Sequence, residues 1–304
     1  MTDDLFRGEP EPDEPASVLY QHTVLAQTCL PYRDPGLDVR VWERANGSIR
    51  LRVEAGSALH PETGEWVQLG LPYGPKPRLI LAHLNAEALR TRSPEIEVEA
   101  TLSSFIRRLG LDAKGRNMRI IKDQLARLSA ASIRLGLLRE SRAITINTQI
   151  VGTFDLWFPK DNRQRVLWPS TVRLSLDYFD SLQRHAVPLH EHALAALAHN
   201  AMALDVYAWL AQRLHRVPVG RPQLVPWAAL KDQFGWHYER TRDFRRDFLT
   251  TLRLALDQYP SAKLKADERG LLLRWSQPPV LCRRSAVPKL PEPEPPAEGG
   301  EAPA

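Results

Sequence analysis

Cysteine is scarce in this sequence of 304 residues. Cys29 and Cys282 are the only two, and they lie far apart without forming a C-x-x-C pair. This spacing excludes a disulfide framework and a structural zinc site built on paired cysteines. We therefore expect a protein of a reducing compartment, most simply the cytoplasm.

Long hydrophobic runs are also absent. No uninterrupted apolar stretch approaches the roughly 20 residues that a membrane-spanning helix needs. The first residues are acidic and rich in proline, and they do not show the basic segment followed by an apolar core that marks a secretory signal. We expect neither a membrane span nor a cleaved signal.

The common enzyme motifs fail at identifiable positions. The stretch Gly70–Pro77 lacks the spacing of a P-loop, and Pro77 follows Lys76 where that motif needs serine or threonine. No G-x-S-x-G is present. The run His190-Glu191-His192 starts like the zinc motif H-E-x-x-H, but Leu194 occupies the place of the second histidine. We expect a protein that is not an enzyme and that needs no cofactor or metal.

One enzymatic alternative stays open. His190 and His192 also resemble the His-hydrophobic-His pair that binds metal in rolling-circle nickases, although Glu191 stands where that motif has an apolar residue. A tyrosine such as Tyr178 would then be the nucleophile. Nicking of supercoiled DNA in the presence of Mn²⁺ would distinguish this alternative.

The charges are segregated along the chain. The net charge is +5, but residues 1–16 hold six acidic side chains against Arg7, and residues 287–304 hold four glutamates against Lys289. The residues between these tails, 17–286, therefore carry a net charge of +13. A body this basic favours a polyanionic partner, either nucleic acid or a membrane surface.

The ends and the middle of the chain differ in composition. Residues 1–16 and 277–304 are rich in proline and glutamate, which predicts disordered tails because such segments bury too little apolar surface. Between them we expect a β-rich N-terminal segment that packs on the first of two domains. The predicted ranges are 17–75 for this segment, 76–180 for the first domain and 181–276 for the second.

Two parts of the sequence predict the same order of elements. The stretch DVRVWERANGSIRLRV, residues 38–53, alternates apolar and charged residues around an Asn-Gly turn and predicts a β-hairpin. After it, a helix to about Leu89, a strand at 95–99, a helix capped by Thr101 and ended by Gly110, and a basic helix precede two strands, ASIRLGLL and AITINTQIV.

The second half of the chain repeats this order of elements without obvious sequence identity to the first. Leu197, Ala201, Leu204, Ala208 and Ala211 predict one face of a long helix that Pro218 stops. A short helix in LVPWAALKDQFG, a long helix in RTRDFRRDFLTTLRLALDQY and a hairpin around Glu268-Arg269-Gly270 follow. The predicted fold class is α+β, with two tandem winged-helix domains preceded by a β-hairpin.

The basic helix of the first unit has two faces. Met118, Ile121, Leu125 and Leu128 form an apolar stripe, and most of the cations lie opposite to it. Arginine can bind guanine with two hydrogen bonds, whereas lysine suits phosphate. A merely solvated helix face would also be basic, but the position of this helix as the third before paired strands favours DNA. The predicted DNA-binding residues are Lys114, Arg116, Asn117, Arg119, Lys122 and Arg127.

The long helix of the second unit shows the same pattern. Phe244, Phe248, Leu252, Ala255 and Tyr259 form its stripe, and Arg245 falls near the boundary of that stripe. The predicted DNA-binding residues here are Arg240, Arg242, Arg246, Thr250 and Arg253. For contacts to the DNA backbone we predict Lys160, Arg163 and Arg165 in the loop PKDNRQRVLW, which could equally be a solvated connector, and Lys263 and Lys265 in the second hairpin.

Three separated blocks, in this order, resemble the RepA family of plasmid replication initiators. They are LPYGPKPRLILAHLNAEALRT, LSSFIRRLGLDAKGRNMRIIKDQLARL and FDLWFPKDNRQRVLWPSTVRLSLDYFDSL, and the resemblance covers roughly residues 36–275. It implies a cytoplasmic bacterial protein with two winged-helix domains that binds repeated sequences (iterons) at a plasmid origin. The implied partners are double-stranded origin DNA, the host initiator DnaA and the replicative helicase DnaB. Apart from the resemblance, the sequence leaves open whether the chain forms a homodimer.

Two further alternatives use the same residues. A winged-helix transcriptional repressor would bind DNA in the same way without starting replication, and support of plasmid replication by the cloned gene would separate the two. A membrane-surface protein is disfavoured because Asp123, Asp243 and Asp247 lie among the cations of the two basic helices, which also lack an aromatic membrane-facing side.

Overall fold

A computed structural model describes residues 18–60, 63–97, 101–139, 142–148, 151–153 and 171–280. The chain forms a mixed α+β structure of helices and small antiparallel sheets. Among these described residues, no helix has both the length and the apolar character needed to cross a membrane.

The N-terminal segment contains the predicted hairpin. Strand β1 (Val18–His22) leads into helix α1 (Thr23–Gln27), and strands β2 (Val41–Asn46) and β3 (Ile49–Glu54) pair around the Asn46-Gly47 turn. Strands β4 (Ser57–Leu59) and β5 (Trp66–Gln68) form a second, shorter hairpin. The prediction of a β-hairpin over residues 38–53 is confirmed.

The first helical unit follows the predicted order. Its elements are α2 (Pro75–Thr91), β6 (Glu95–Glu97), α3 (Leu102–Arg108), α4 (Gly115–Ala130), β7 (Ser132–Arg139) and β8 (Arg142–Thr148). The Thr101 side chain caps α3 by accepting a hydrogen bond from Ser104 N at 3.1 Å. Gly110, with φ +70°, follows that helix where a side chain would collide with Ala195.

Several elements connect the two units. They are β9 (Val151–Thr153), β10 (Thr171–Leu174), α5 (Leu176–His185), β11 (Ala186–His190) and α6 (Glu191–Ala196). Strands β6, β10 and β9 form one small sheet, and β1 pairs with β11 along its whole length. The N-terminal segment is thus bound to residues 186–190 as well as to the first unit.

The second unit contains α7 (Ala201–Arg213), a 3₁₀ turn (Leu214–Arg216), β12 (Gln223–Pro226), α8 (Trp227–Phe234), α9 (Thr241–Asp257), β13 (Leu264–Ala266) and β14 (Gly270–Leu273). The prediction of one long helix that includes Leu197 was wrong at its start. The Asn200 side chain caps α7 by accepting a hydrogen bond from Ala203 N at 3.0 Å, so the helix begins at Ala201.

The sheet topology joins the hairpin to the first unit. Strands β2, β3, β7 and β8 form one four-stranded antiparallel sheet in that order, and β12, β14 and β13 form a three-stranded sheet in the second unit. The buried apolar side chains of both units belong to one continuous core. The two units are therefore packed on each other through that core.

A buried ion pair crosses the boundary between the two units. The Arg78 guanidinium on α2 donates from Nε and Nη2 to the two carboxylate oxygens of Asp205 on α7, both at 2.7 Å. Both side chains are buried, with exposed fractions of 4% and 8%. Since α2 and α7 are the corresponding helices of the two units, this pair fixes one unit against the other.

Two buried histidines make the stability of this fold depend on pH. Burial, with a smaller contribution from His185, lowers the pKa of His22 from 6.5 to about 3. Burial also lowers the pKa of His83 to about 4, with a contribution from Arg108. Between pH 6.5 and about pH 4 the unfolded chain therefore binds protons at these two sites while the folded chain does not.

We expect the free energy of unfolding to be highest above pH 6.5 and to fall as the pH decreases toward these lowered pKa values. Between pH 6.5 and 5 the loss is about 2 kcal/mol for each histidine. Urea denaturation at pH 7, 6 and 5 measures it, and His83→Leu should make the pH dependence shallower by the share of that histidine, about 2 kcal/mol. A free energy of unfolding that stays constant from pH 7 to pH 5 would contradict this expectation.

Candidate nucleic-acid interface

Helix α4 presents two faces, as predicted. Ile121, Leu125 and Leu128 are buried in the core, and Met118 packs partly buried against it. On the opposite side Arg116 and Arg119 are exposed, and no carboxylate of the described residues pairs with either guanidinium. Two unpaired arginines on one exposed helix face are available for a polyanion.

The polar residues at the start of α4 are partly engaged. Lys114, at the N-cap position, is highly exposed and its Nζ lies 2.5 Å from Asp112 Oδ2, which raises the pKa of the lysine. The Asn117 side chain donates to the Asp112 backbone carbonyl at 2.7 Å, and Lys122 is half-buried. An exposed ion pair such as the one at Lys114 is weak and can be exchanged for a phosphate.

Arg127 is placed differently from the other cations of α4. Its side chain is only 12% exposed and pairs with Asp123 at 3.0 Å and with Asp34 at 3.2 Å. It also donates to the Leu71 carbonyl and lies over the Tyr73 ring at 5.0 Å. Because these contacts occupy the guanidinium, Arg127 fastens α4 to the N-terminal segment, and we leave it out of the proposed DNA contacts.

Helix α9 repeats the two-faced design. All five residues of the predicted stripe are buried, namely Phe244, Phe248, Leu252, Ala255 and Tyr259. Gly235 ends α8 at a point where a Cβ atom would overlap the Phe244 ring, so glycine lets α8 and α9 approach closely. The predicted apolar face of α9 is confirmed.

The opposite face of α9 carries the predicted polar residues. Arg240, Arg242, Thr250 and Arg253 are exposed. Arg246 is 71% exposed and pairs with Asp247 at 2.8 Å and with Asp243 at 3.7 Å. The hydrogen bond from Arg246 lowers the pKa of the Asp247 carboxyl, so this helix face holds both signs of charge.

Arg245 lies at the edge of the apolar stripe of α9. Its guanidinium packs over the Trp227 ring at 5.0 Å and donates to the Asp267 carbonyl at 3.2 Å. The long side chain thus covers apolar surface while its charged end reaches the β13–β14 hairpin. This placement agrees with the boundary position that the sequence predicted.

The β13–β14 hairpin places the predicted lysines at different heights. Lys263 is exposed but lies at the base of the hairpin, where its carbonyl accepts from Arg274 N at 2.9 Å. Lys265 pairs with Leu272, nearer the tip. At the tip, Asp267 Oδ1 accepts from Arg269 N and Gly270 N at 2.8 and 3.0 Å.

Arg269 is the functional candidate that the sequence analysis missed. Its side chain is 75% exposed at the hairpin tip, where it lies 3.8 Å from Asp267. The sequence contained one signal for this residue, because Arg269 is the cation within the predicted turn Glu268-Arg269-Gly270. The other predicted backbone contacts, Lys160, Arg163 and Arg165, lie outside the described residues.

Tyr178 and His190, two residues of the nickase alternative, are engaged in other contacts. Tyr178 is fully buried, and its hydroxyl donates to Asn85 Oδ1 at 3.0 Å. His190 Nε2 lies 2.7 Å from the Pro279 carbonyl, to which it donates. Across the described ranges, no cluster of three or more His, Cys, Asp or Glu side chains is arranged to hold a metal ion. A nucleophile must reach its phosphate, and a buried Tyr178 does not.

Comparison with known proteins identifies the family. A family described as "Plasmid encoded RepA protein" matches residues 71–228, which is more than half of the chain. No curated protein sequence matches. The matched region includes the first unit and α7 up to the start of α8.

Solved structures with a similar fold also exist. A crystal structure of domains 2 and 3 of RctB has a TM-score of 0.50 at 13% identity, over 81% of this chain and 86% of that one. A second crystal structure, of RctB-155-483, has a TM-score of 0.47 at 12% identity, over 81% and 85%. The first of these shows a shared fold. On the family match, the chain belongs to the RepA family of plasmid replication initiators.

Proposed function

We propose that this initiator recognises repeated sequences at its plasmid origin through two winged-helix units. The observation that carries the proposal is the repeated construction of α4 and α9. Each follows a shorter helix, precedes an antiparallel strand pair, buries one apolar face and exposes arginines on the other. A helix that enters the major groove needs these two faces.

The strand pairing of the second unit supports the winged-helix assignment. Strand β12 precedes α8 and pairs with β14, which pairs in turn with β13. This order leaves the β13–β14 tip beside the start of α8, since Pro226 pairs with Gly270. In a winged helix the hairpin tip follows the DNA backbone while the preceding helix contacts bases.

The side chains divide by chemistry into base and phosphate contacts. On α4, Arg116 and Arg119 are suited to guanine, while Lys114 and Lys122 are suited to phosphate. On α9 and its hairpin the proposed contacts are Arg240, Arg242, Arg246, Thr250, Arg253, Lys265 and Arg269. If the two helices bind successive turns of one duplex, their sites lie about 10–10.5 base pairs apart and the whole site spans roughly 20 base pairs.

Single substitutions test the two helices separately. Arg119→Ala should weaken binding to the origin duplex by about 1–3 kcal/mol and relax the sequence preference at one base pair. Arg246→Ala should fall at the low end of that range because the arginine must first leave Asp243 and Asp247. Competition binding with single-base variants of the origin sequence measures both effects.

Arg184→Ala is the control, because Arg184 is exposed on α5 and lies outside the two proposed DNA-binding helices, α4 and α9. It should leave the affinity for the origin unchanged. If Arg119→Ala weakens binding to every sequence equally, Arg119 is a phosphate contact. If it changes nothing, α4 does not contact DNA and the proposal for this helix is wrong.

Initiation requires host proteins after DNA recognition. We propose the host initiator DnaA, the helicase DnaB and a second copy of the chain as partners in the cytoplasm, because the family starts plasmid replication. Replication of an origin plasmid supplied with the cloned gene tests this step. Origin binding without replication would instead favour a repressor that uses the same two helices.

A further inference from the structure

The β2–β3 hairpin contacts both units, in each case next to one of the two proposed DNA-binding helices, α4 and α9. On one side, β3 is hydrogen-bonded to β7 over six residue pairs, from Ile49↔Leu137 to Glu54↔Ser132. Strand β7 begins two residues after the end of α4. The hairpin is therefore fixed, through backbone hydrogen bonds, to the strand that directly follows α4.

The other side of the hairpin contacts the second unit. The Trp42 ring meets the edge of the Trp236 ring, with centroids 4.6 Å apart, in the turn between α8 and α9. Arg44 donates to the backbone carbonyls of Asp232 and Gln233 in the last turn of α8, the latter at 3.3 Å. Carbonyls at the end of a helix lack partners within it and favour a cation, so this contact is directed at a specific point.

A buried polar joint supports these contacts. The Trp42 indole donates to the Cys29 carbonyl at 2.7 Å, and the Cys29 thiol donates to the Gln233 carbonyl at 3.1 Å. The Gln27 carbonyl accepts from the side chains of both Asn46 and Gln233, each at 2.9 Å. Residues 27–29 thus bind the hairpin and α8 together by directional hydrogen bonds.

We propose that Trp42 and Arg44 are positioning residues that set the distance and angle between α4 and α9. They would thereby determine the number of base pairs between the two half-sites, which are the stretches of origin DNA that α4 and α9 each contact. This proposal rests on the proposed function. A change of one base pair moves the second half-site by about 3.4 Å along the duplex and also rotates it. A rigid joint prevents α9 from following that movement, so the DNA must deform.

The buried Arg78–Asp205 pair makes the joint testable. It holds the two units together through α2 and α7 and involves no residue of the β2–β3 hairpin. Arg44 is only partly buried. Removing the Arg44 side chain should therefore loosen the angle between the units while the protein stays folded.

The first experiment measures spacing preference. Origin duplexes are prepared with the native half-site spacing and with one or two base pairs added or removed. We expect the wild-type protein to lose roughly tenfold or more in affinity for each wrong spacing. Arg44→Ala should retain its affinity for an isolated half-site and reduce that penalty to about threefold or less.

Arg50→Ala is the matched control. Arg50 lies on the same hairpin and is exposed, and within the described part of the chain its Nη1 donates only to the Gly47 and Ile49 carbonyls of the hairpin itself. It should keep the wild-type spacing profile. If Arg44→Ala also keeps that profile, or if Arg50→Ala flattens it equally, the proposal is overturned.

A second measurement does not depend on DNA. Spin labels on the exposed positions of Arg107→Cys in α3 and Ala229→Cys in α8, with Cys282→Ser, report the distance between the units. Arg44→Ala should broaden this distance distribution relative to wild type and to Arg50→Ala. An unchanged distribution overturns the positioning role. The distance distribution of Arg44→Ala could also broaden while the wild-type protein shows no preference for origin DNA. That combination overturns the proposed function and with it the role in half-site spacing.

Discussion

Asp205→Ala is expected to lower the free energy of unfolding by about 3–5 kcal/mol, which is a large part of the stability of a typical domain. The substitution leaves the Arg78 guanidinium buried without its counter-ion. Arg78 still donates to the Gly74 and Leu30 carbonyls at 2.6 and 2.8 Å, but neutral carbonyls do not balance its charge. The loss follows from the desolvation of an unpaired charge between the two units.

Urea denaturation at pH 7 measures this effect, with Arg90→Ala as the control. Arg90 pairs with Glu87 at the surface, and its side chain is 69% exposed. Removing an exposed pair should change the stability by about 0–1 kcal/mol. The double variant Arg78→Met/Asp205→Leu should recover most of the loss, because it buries no charge. A loss below about 1 kcal/mol for Asp205→Ala would show that the pair is not important for joining the units.

The affinity for the origin duplex is expected to fall on the order of 10³–10⁵-fold between 50 and 200 mM salt. This range corresponds to about 6–10 phosphate contacts, each of which releases a counter-ion. The exposed cations of α4, α9 and the β13–β14 hairpin are numerous enough to supply them. Lys265→Ala and Arg269→Ala should each reduce the slope of log affinity against log salt by about 1 if each contacts a phosphate.

Lys263→Ala provides the internal comparison for that slope. Lys263 is on the same hairpin but at its base, away from the Asp267–Gly270 tip. It should leave the salt dependence unchanged if the tip follows the DNA backbone. An equal effect of Lys263→Ala and Arg269→Ala would contradict this orientation of the hairpin.

Local patterns in the sequence predicted most of the secondary structure. The stripes of α4 and α9, the Thr101 cap and the Asn46-Gly47 turn depend on neighbouring residues, and all four are confirmed. The start of α7 was placed wrongly, and β1, α1, β4, β5, α5, β11 and α6 were not predicted. At α7 the apolar period continued through Leu197, but the Asn200 side chain caps the helix and fixes its beginning.

Contacts between distant residues were not predictable from these patterns. The helical period predicts Arg127 as an exposed cation and places Asp123 one turn away, but it does not predict the approach of Asp34 and Tyr73, which come from distant parts of the chain. The pairing of Arg78 with Asp205 joins residues 127 positions apart. Such placements depend on how the elements pack, which the spacing within each element does not determine.

In the candidate site, too, some features follow from local sequence patterns and others follow only from how the elements pair and pack. The exposure of Arg116, Arg119 and Arg242 follows from the helical period alone. The different heights of Lys263 and Arg269 follow from the register of the β13–β14 hairpin, which the sequence did not specify. A hairpin over residues 38–53 was predicted, but its contact with α8 was not.

Binding of the purified protein to origin-region and scrambled duplexes of equal length, from 50 to 200 mM salt, distinguishes sequence recognition from general attraction to DNA. Both duplexes should bind at 50 mM, and a clear preference for the origin duplex should survive at 200 mM, because base contacts are less sensitive to salt than phosphate contacts. Equal and equally salt-dependent binding to the two duplexes would contradict sequence recognition by α4 and α9.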